Sequence, residues 1–207
     1  MITKEEAVAR IAGQLEKKKR VVVALDGMSC SGKTTFAQAL AEKFSGSVVH
    51  MDDFFLPRDR FTEEMQSLPG GNIDRARFKA EVLEPLTASR DFAYRPFSCE
   101  DQVLLPDPVK VAGRLVVVEG AYALLPDWGR YWDLALFLQV STEEQQGRLL
   151  LTTHNDTLEI SQRFFSSNRN LCQIFILYIW YINHHFHPLS SPSLSIHTYS
   201  FHLHFLI

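Results

Sequence analysis

Between residues 21 and 44 an apolar, β-branched run, VVVAL, passes through GMSCSGKT (residues 27–34) into a stretch where Phe36, Ala37, Leu40, Ala41 and Phe44 recur at helical spacing. Few folds accommodate that succession. A strand apolar on both faces must lie inside a sheet with a layer on each side, and a helix that follows after one short loop must form part of such a layer. The loop fits the pattern GxxxxGK[ST], with Gly27, Gly32, Lys33 and Thr34 in the fixed positions. Glycines let the backbone curl so that successive N–H groups point inward at phosphate oxygens. Lys33 is then expected to reach the β and γ phosphates, the Thr34 hydroxyl to ligate Mg²⁺, and the helix to offer its positive end. The expected nucleotide contacts are Gly27, Ser29, Cys30, Ser31, Gly32, Lys33, Thr34 and Thr35. The competing reading is an incidental glycine-rich turn, which would require neither the preceding strand nor the following helix.

The flanking sequence repeats the alternation. Thr3 and Glu6 form a capping-box signature ahead of Ala7, Val8, Ile11, Ala12 and Leu15, so a first helix is expected to run to about Lys19. Further strands are expected at 47–51 (SVVHM), 115–119 (LVVVE) and 134–140 (LALFLQV). Helices are expected at 74–86, capped by Asp74, and from Ser141 with Glu144 onward. Strands alternating with long crossovers argue for an α/β fold with an open, mostly parallel sheet flanked by helices, and the GMSCSGKT loop makes the expected type a P-loop NTPase. Asp52 and Asp53 stand just past the second strand, where open sheets of this kind present their ligand crevice. One acid there is suited to orienting and deprotonating a hydroxyl; the plainer alternative is that the pair starts a turn. Glu119, ending LVVVE, has the form of a Walker B acid that delivers a carboxylate toward a metal.

With 21 basic and 24 acidic side chains the net charge is −3, so no general electrostatic drive toward nucleic acid or anionic membrane exists, and the expected partner is a small molecule. The three cysteines, Cys30, Cys99 and Cys172, are too scattered for a disulfide framework and fit a reducing, cytoplasmic setting. The opening MITKEEAVARI lacks the apolar core of a signal peptide. Sequence gives no oligomeric state.

Beyond residue 150 the composition changes. Only Asp156, Glu159, Arg163 and Arg169 are charged there, lysine is absent, and seven of the chain's eight histidines fall in this tail. The apolar run 171–182 is shorter than the roughly 18 to 20 residues needed to cross a bilayer. His184, His185 and His187 are close enough to suggest metal, although such clusters also arise by accident.

Six blocks, GMSCSGKTT, HMDDFFLP, PGGNIDRARF, YRPFSCEDQ, VVVEGAYALLP and YWDLALFLQVSTEEQQGRLL, stand in order over residues 5–150 and resemble the uridine kinase-like branch of P-loop kinases. The resemblance implies an ATP- and Mg²⁺-dependent kinase of a nucleoside-like acceptor, uridine or cytidine, with Asp52 and Lys33 as catalytic residues. Asp52 would be the general base on the acceptor hydroxyl and a neighbour of the metal, with Thr34 and Glu119 completing the Mg²⁺ environment. Asp53, Asp74, Tyr94 and Arg95 would line the acceptor pocket, Asp74 on ribose hydroxyls and Tyr94 stacking on a base. An N-cap role for Asp74 and a plain hairpin role for Tyr94 stay open. Nicotinamide riboside, pantothenate or another small hydroxylated metabolite is the alternative acceptor, and a catalytically impaired ATP-binding protein the alternative class. The resemblance stops at about residue 150, before the arginine-bearing lid of the family. Residues 1–150 therefore read as a kinase core and 151–207 as a replacement tail, with Arg163 and Arg169 the remaining lid candidates. A translated frameshift would produce such a tail; if so, another reading frame of the nucleotide sequence beyond Leu150 encodes an arginine-rich lid, and its absence from both other frames would refute the idea.

Overall fold

The computed structural model describes residues 2–141, 143–145, 147–148 and the backbone of 195–199. The lid candidates Arg163 and Arg169, the apolar run 171–182 and His184, His185 and His187 lie outside the described residues. Along the chain come α1 (Lys4–Lys17), β1 (Val21–Gly27), α2 (Lys33–Phe44), β2 (Ser47–His50), and the small strands β3 (Phe92–Tyr94), β4 (Phe97–Ser98), β5 (Val103–Leu104) and β6 (Val109–Val111). They are followed by β7 (Leu115–Glu119), β8 (Leu134–Gln139) and β9 (Ser195–Tyr199).

The main sheet has the order β2-β7-β1-β8-β9. β1 pairs in parallel with β7, Leu25 opposite Glu119, and with β8, Gly27 opposite Leu138. β2 pairs in parallel with β7, and β9 lies antiparallel on β8. Every residue of β1 and β7 is buried. Alternation of side chains across the strand explains why a continuous apolar run is needed. Val21, Val23 and Leu25 pack with Ile11 of α1 and Phe36 and Leu40 of α2, whereas Val22 and Ala24 pack with Phe54, Phe78 and Trp128 on the other face. Among the described residues no helix is long and apolar enough to cross a membrane.

The four expected strands are present, that at 115–119 with its bounds unchanged and the other three with an end moved by a residue or two. Met51 leaves β2 and opens a 3₁₀ turn, Met51–Phe54. The helix expected at 74–86 consists of Arg75–Phe78, a π segment Lys79–Leu83 and a last turn Glu84–Thr87. Pro85 accounts for the widening: it has no N–H to give, its ring crowds the carbonyl one turn back, and the Glu84 N–H bonds Lys79 O five residues earlier. β3 pairs with β6 and β4 with β5, both antiparallel. These strands are two or three residues long, too short to leave a periodic pattern in the sequence.

Gly27 ends β1 at φ 151°, and a Cβ built there would stand 2.2 Å from the Leu138 carbonyl oxygen. Neither the neighbouring strand nor the loop can yield without losing the pairing. Gly27→Ala is therefore expected to lower unfolding free energy by about 2–3 kcal/mol in urea titrations; wild-type stability would contradict this account of the strand end.

Candidate functional site

Where β1 gives way to α2, the loop is fastened from behind. Asp26, 1% exposed, accepts the Gly27 N–H at 2.6 Å and the Leu124 N–H at 3.1 Å, tying the loop to the segment after β7. Cys30 (φ 56°) and Gly32 (φ 88°) take left-handed conformations, which turn successive amides toward one side. On the outer side, Gln145 donates to Ser29 O at 3.0 Å and Arg148 to Cys30 O at 3.1 Å. The Lys33 ammonium bridges the loop carbonyls of Gly27 (3.0 Å) and Met28 (2.9 Å). α2 starts with Gly32 as N-cap, without a side-chain cap and without an acid in its first turn. Its positive end is thus not answered by its own side chains, the condition for anion binding. Ser31 differs from its neighbours: its amide bonds Met28 O at 3.2 Å, and its buried hydroxyl has no partner among the described residues. It shapes the loop from within.

Parallel register brings the acids to the same edge. Glu119, 5% exposed, lies opposite Leu25 on one side and His50 on the other. Its Oε1 accepts the Thr34 hydroxyl at 3.1 Å and stands 2.6 Å from His50 Nδ1. That hydrogen bond raises the His50 pKa above the ordinary histidine value against the opposing effect of burial. Asp52 opens to solvent, yet the protein around it, with the Glu119 and Asp53 carboxylates, raises its pKa; Lys33 and His50 pull it down. Asp52 therefore shares its electrostatic surroundings with both the loop lysine and the strand-end glutamate.

The remaining predicted residues form a second group behind Asp52. Asp53 Oδ2 accepts the Tyr94 hydroxyl at 2.7 Å, and its carbonyl accepts Arg77. Tyr94 is 2% exposed, with its ring centroid 4.9 Å from that of Phe54. Burial and the bond to Asp53 keep its phenol far above the usual range, so it stays a neutral donor. A ring enclosed in this way does not offer a face for base stacking; the expected role of Tyr94 gives way to support of Asp53. Arg95 is committed to the carbonyls of Leu104 and Leu105, both at 2.7 Å. Asp74 caps its helix through the Arg77 N–H at 3.0 Å, with Arg60 at 4.0 Å from its second oxygen. Sequence reading passes over Asp26, His50, Gln145 and Arg77. Register was the available signal for His50, which ends a strand beside the one ended by Glu119; the others depend on contacts between distant segments.

Among the described residues no three His, Cys, Asp or Glu side chains are arranged to hold a metal ion by themselves. A hydroxyl and a strand-end carboxylate, with Asp52 nearby, nevertheless suit Mg²⁺, a hard cation commonly held by one or two carboxylates plus substrate phosphates.

No family model matches the chain, and no curated protein matches it. Among solved structures it is similar to a possible uridine kinase from Bacillus stearothermophilus, at 21% identity over 71% of this chain and 93% of that one, TM-score 0.52. It is also similar to a candidate fructose transport system kinase from Silicibacter sp. TM1040, at 24% identity over 84% of this chain and 93% of that one, TM-score 0.59. The chain shares the fold of these two structures, α/β with a mostly parallel central sheet.

The raised Asp52 pKa has a stability consequence. The unfolded chain ionises Asp52 at the ordinary carboxylate pH, whereas the folded chain resists ionisation, so stability falls as pH rises from the unfolded pKa through the folded one. In chelator-treated protein, Asp52→Asn is expected to raise the melting temperature at pH 7 and to leave it nearly unchanged at pH 3. A lower melting temperature at pH 7 would contradict the assigned strain.

Proposed function

We propose that the chain is an ATP-dependent phosphotransferase that moves the γ-phosphate to a hydroxyl of a nucleoside-like acceptor such as uridine or cytidine. The observation that carries this reading is the meeting of Thr34, on the phosphate loop, with Glu119, at the end of β7, 3.1 Å apart, beside an Asp52 that responds to both Glu119 and Lys33. A phosphate grip, a pair of oxygen donors and a candidate base thus converge at one sheet edge.

Each residue has a part in that chemistry. Loop amides and the start of α2 hold the phosphates, and the Lys33 ammonium, released from Gly27 O and Met28 O, balances the charge on the β and γ groups. Thr34 and Glu119 would hold Mg²⁺, which would supply positive charge against the charge that develops during transfer. Asp52 accepts the hydroxyl proton and sets the acceptor oxygen in line with the γ-phosphate. Its raised pKa strengthens it as a base. On the same reading residues 1–150 form the kinase core and 151–207 an addition to it.

The engagement of Tyr94 and Arg95 within the protein favours a second acceptor class. With the Tyr94 ring enclosed and the Nε and Nη2 of Arg95 engaged, neither is placed as a reader of a base among the described residues. A hydroxylated metabolite that carries no base, such as pantothenate, then becomes a competing acceptor.

Transfer from γ-labelled ATP, measured against uridine, cytidine, nicotinamide riboside and pantothenate, separates these readings. Labelled product is expected with at least one acceptor. Asp52→Asn is expected to lower its formation about 10²- to 10⁴-fold while MgATP affinity is retained. Undiminished transfer by Asp52→Asn would remove the base from the reading, and no transfer to any acceptor would remove the kinase activity.

A further inference from the structure

The turn that carries Asp52 and Asp53 is fastened by one largely buried cation outside the expected site. Arg77 lies in the first turn of the helix that Asp74 caps, and its side chain is 12% exposed. Its guanidinium sits over the Phe54 ring, 4.3 Å from the centroid. One nitrogen donates to Asp53 O, another to Arg95 O at 2.7 Å, and Glu81 lies at 3.7 Å on its own helix. Three segments distant in sequence are joined: the Met51–Phe54 turn, the connection from β3 to β4, and the helix behind Asp74.

Two further bonds close the unit. The Asp74 N–H donates to Phe54 O at 2.7 Å, and Tyr94 holds the Asp53 carboxylate from the opposite side. Asp53 is thereby held at both its carbonyl and its carboxylate, while Asp52, one residue earlier, opens to solvent. Two carbonyls on different segments suit a planar fork, whose fixed geometry a lysine ammonium does not reproduce. Burial of the guanidinium is unfavourable, and these acceptors with the facing ring compensate for it.

We propose that Arg77 is a positioning residue for the acceptor half of the site, fixing the Met51–Phe54 turn, and with it the direction of Asp52, against the helix of Asp74 and the end of β3. The proposal rests on the reading of Asp52 as base, but its structural arm can be tested without any acceptor. Hydrogen exchange is followed in the full chain for wild type, Arg77→Met, Arg77→Lys and Tyr94→Phe. In Arg77→Met, peptides covering residues 51–56 are expected to exchange about tenfold faster, the usual scale for losing a charge-assisted hydrogen bond, while those covering 27–34 keep their rate. Arg77→Lys should fall between wild type and Arg77→Met, and Tyr94→Phe, which removes the other tether and little bulk, should accelerate the same peptides. In parallel, kcat with uridine is expected to fall roughly 100-fold in Arg77→Met, with KM for ATP within about twofold.

Unchanged exchange at 51–56 in Arg77→Met, or equal acceleration in the loop peptides, would overturn the proposal. So would a kcat equal to wild type, or a matching loss of ATP affinity. If wild type does not phosphorylate uridine, the functional reading has failed on that acceptor, and the exchange arm alone decides the positioning role.

Discussion

Parallel pairing of β1 between β7 and β8 is the constraint on which the site depends. It stacks the carboxyl ends of the strands at one edge, so that residues far apart in the chain become neighbours: Leu25 beside Glu119, Gly27 beside Leu138. The approach at Gly27 leaves no room for a side chain, and the loop that follows must leave the sheet there. Asp26 reinforces the exit by holding the first loop amide and the Leu124 amide with one carboxylate. The phosphate loop is consequently a product of the sheet as much as of its own glycines.

The site at this edge divides into two halves with different physics. On the proposed nucleotide side, charges face one another across the mouth: Lys33 lies on its loop carbonyls, Glu119 is bonded with Thr34 and His50, and Asp52 bears an ionisation its surroundings oppose. Entry of a cation with phosphate would rearrange and relieve these contacts. On the proposed acceptor side the groups are already bonded to one another. Tyr94, Asp53, Arg77 and Arg95 form a closed set of bonds that supports the turn carrying Asp52. This contrast is the physical basis for giving Asp52 the chemical role and Asp53 a supporting one.

Sequence made the nucleotide half legible because each feature there is local. The run VVVAL, the glycines at 27 and 32, and Lys33 and Thr34 are contiguous, and their spacing has a direct mechanical meaning. LVVVE and LALFLQV were equally readable, since strands buried on both faces need uninterrupted apolar runs. The acceptor half was not. Tyr94 and Arg95 stood in a family-like block, but their partners, Asp53 and the carbonyls of Leu104 and Leu105, depend on how short hairpins fold back on the sheet. Nothing local in the sequence marks Arg77; only the tertiary arrangement makes it a link among three segments. The widening before Pro85 likewise follows from accommodating a proline within a helix whose apolar face is buried, which periodicity does not reveal.

The central claim is that the loop of residues 27–34 binds a triphosphate through its amides and the Lys33 ammonium. Titration calorimetry of the monodisperse full chain with MgATP tests it most directly, with Lys33→Ala as the comparison. The account predicts saturable binding at one site per chain in wild type and none measurable in Lys33→Ala. Absence of binding in the wild-type protein, or equal binding by both proteins, would contradict it.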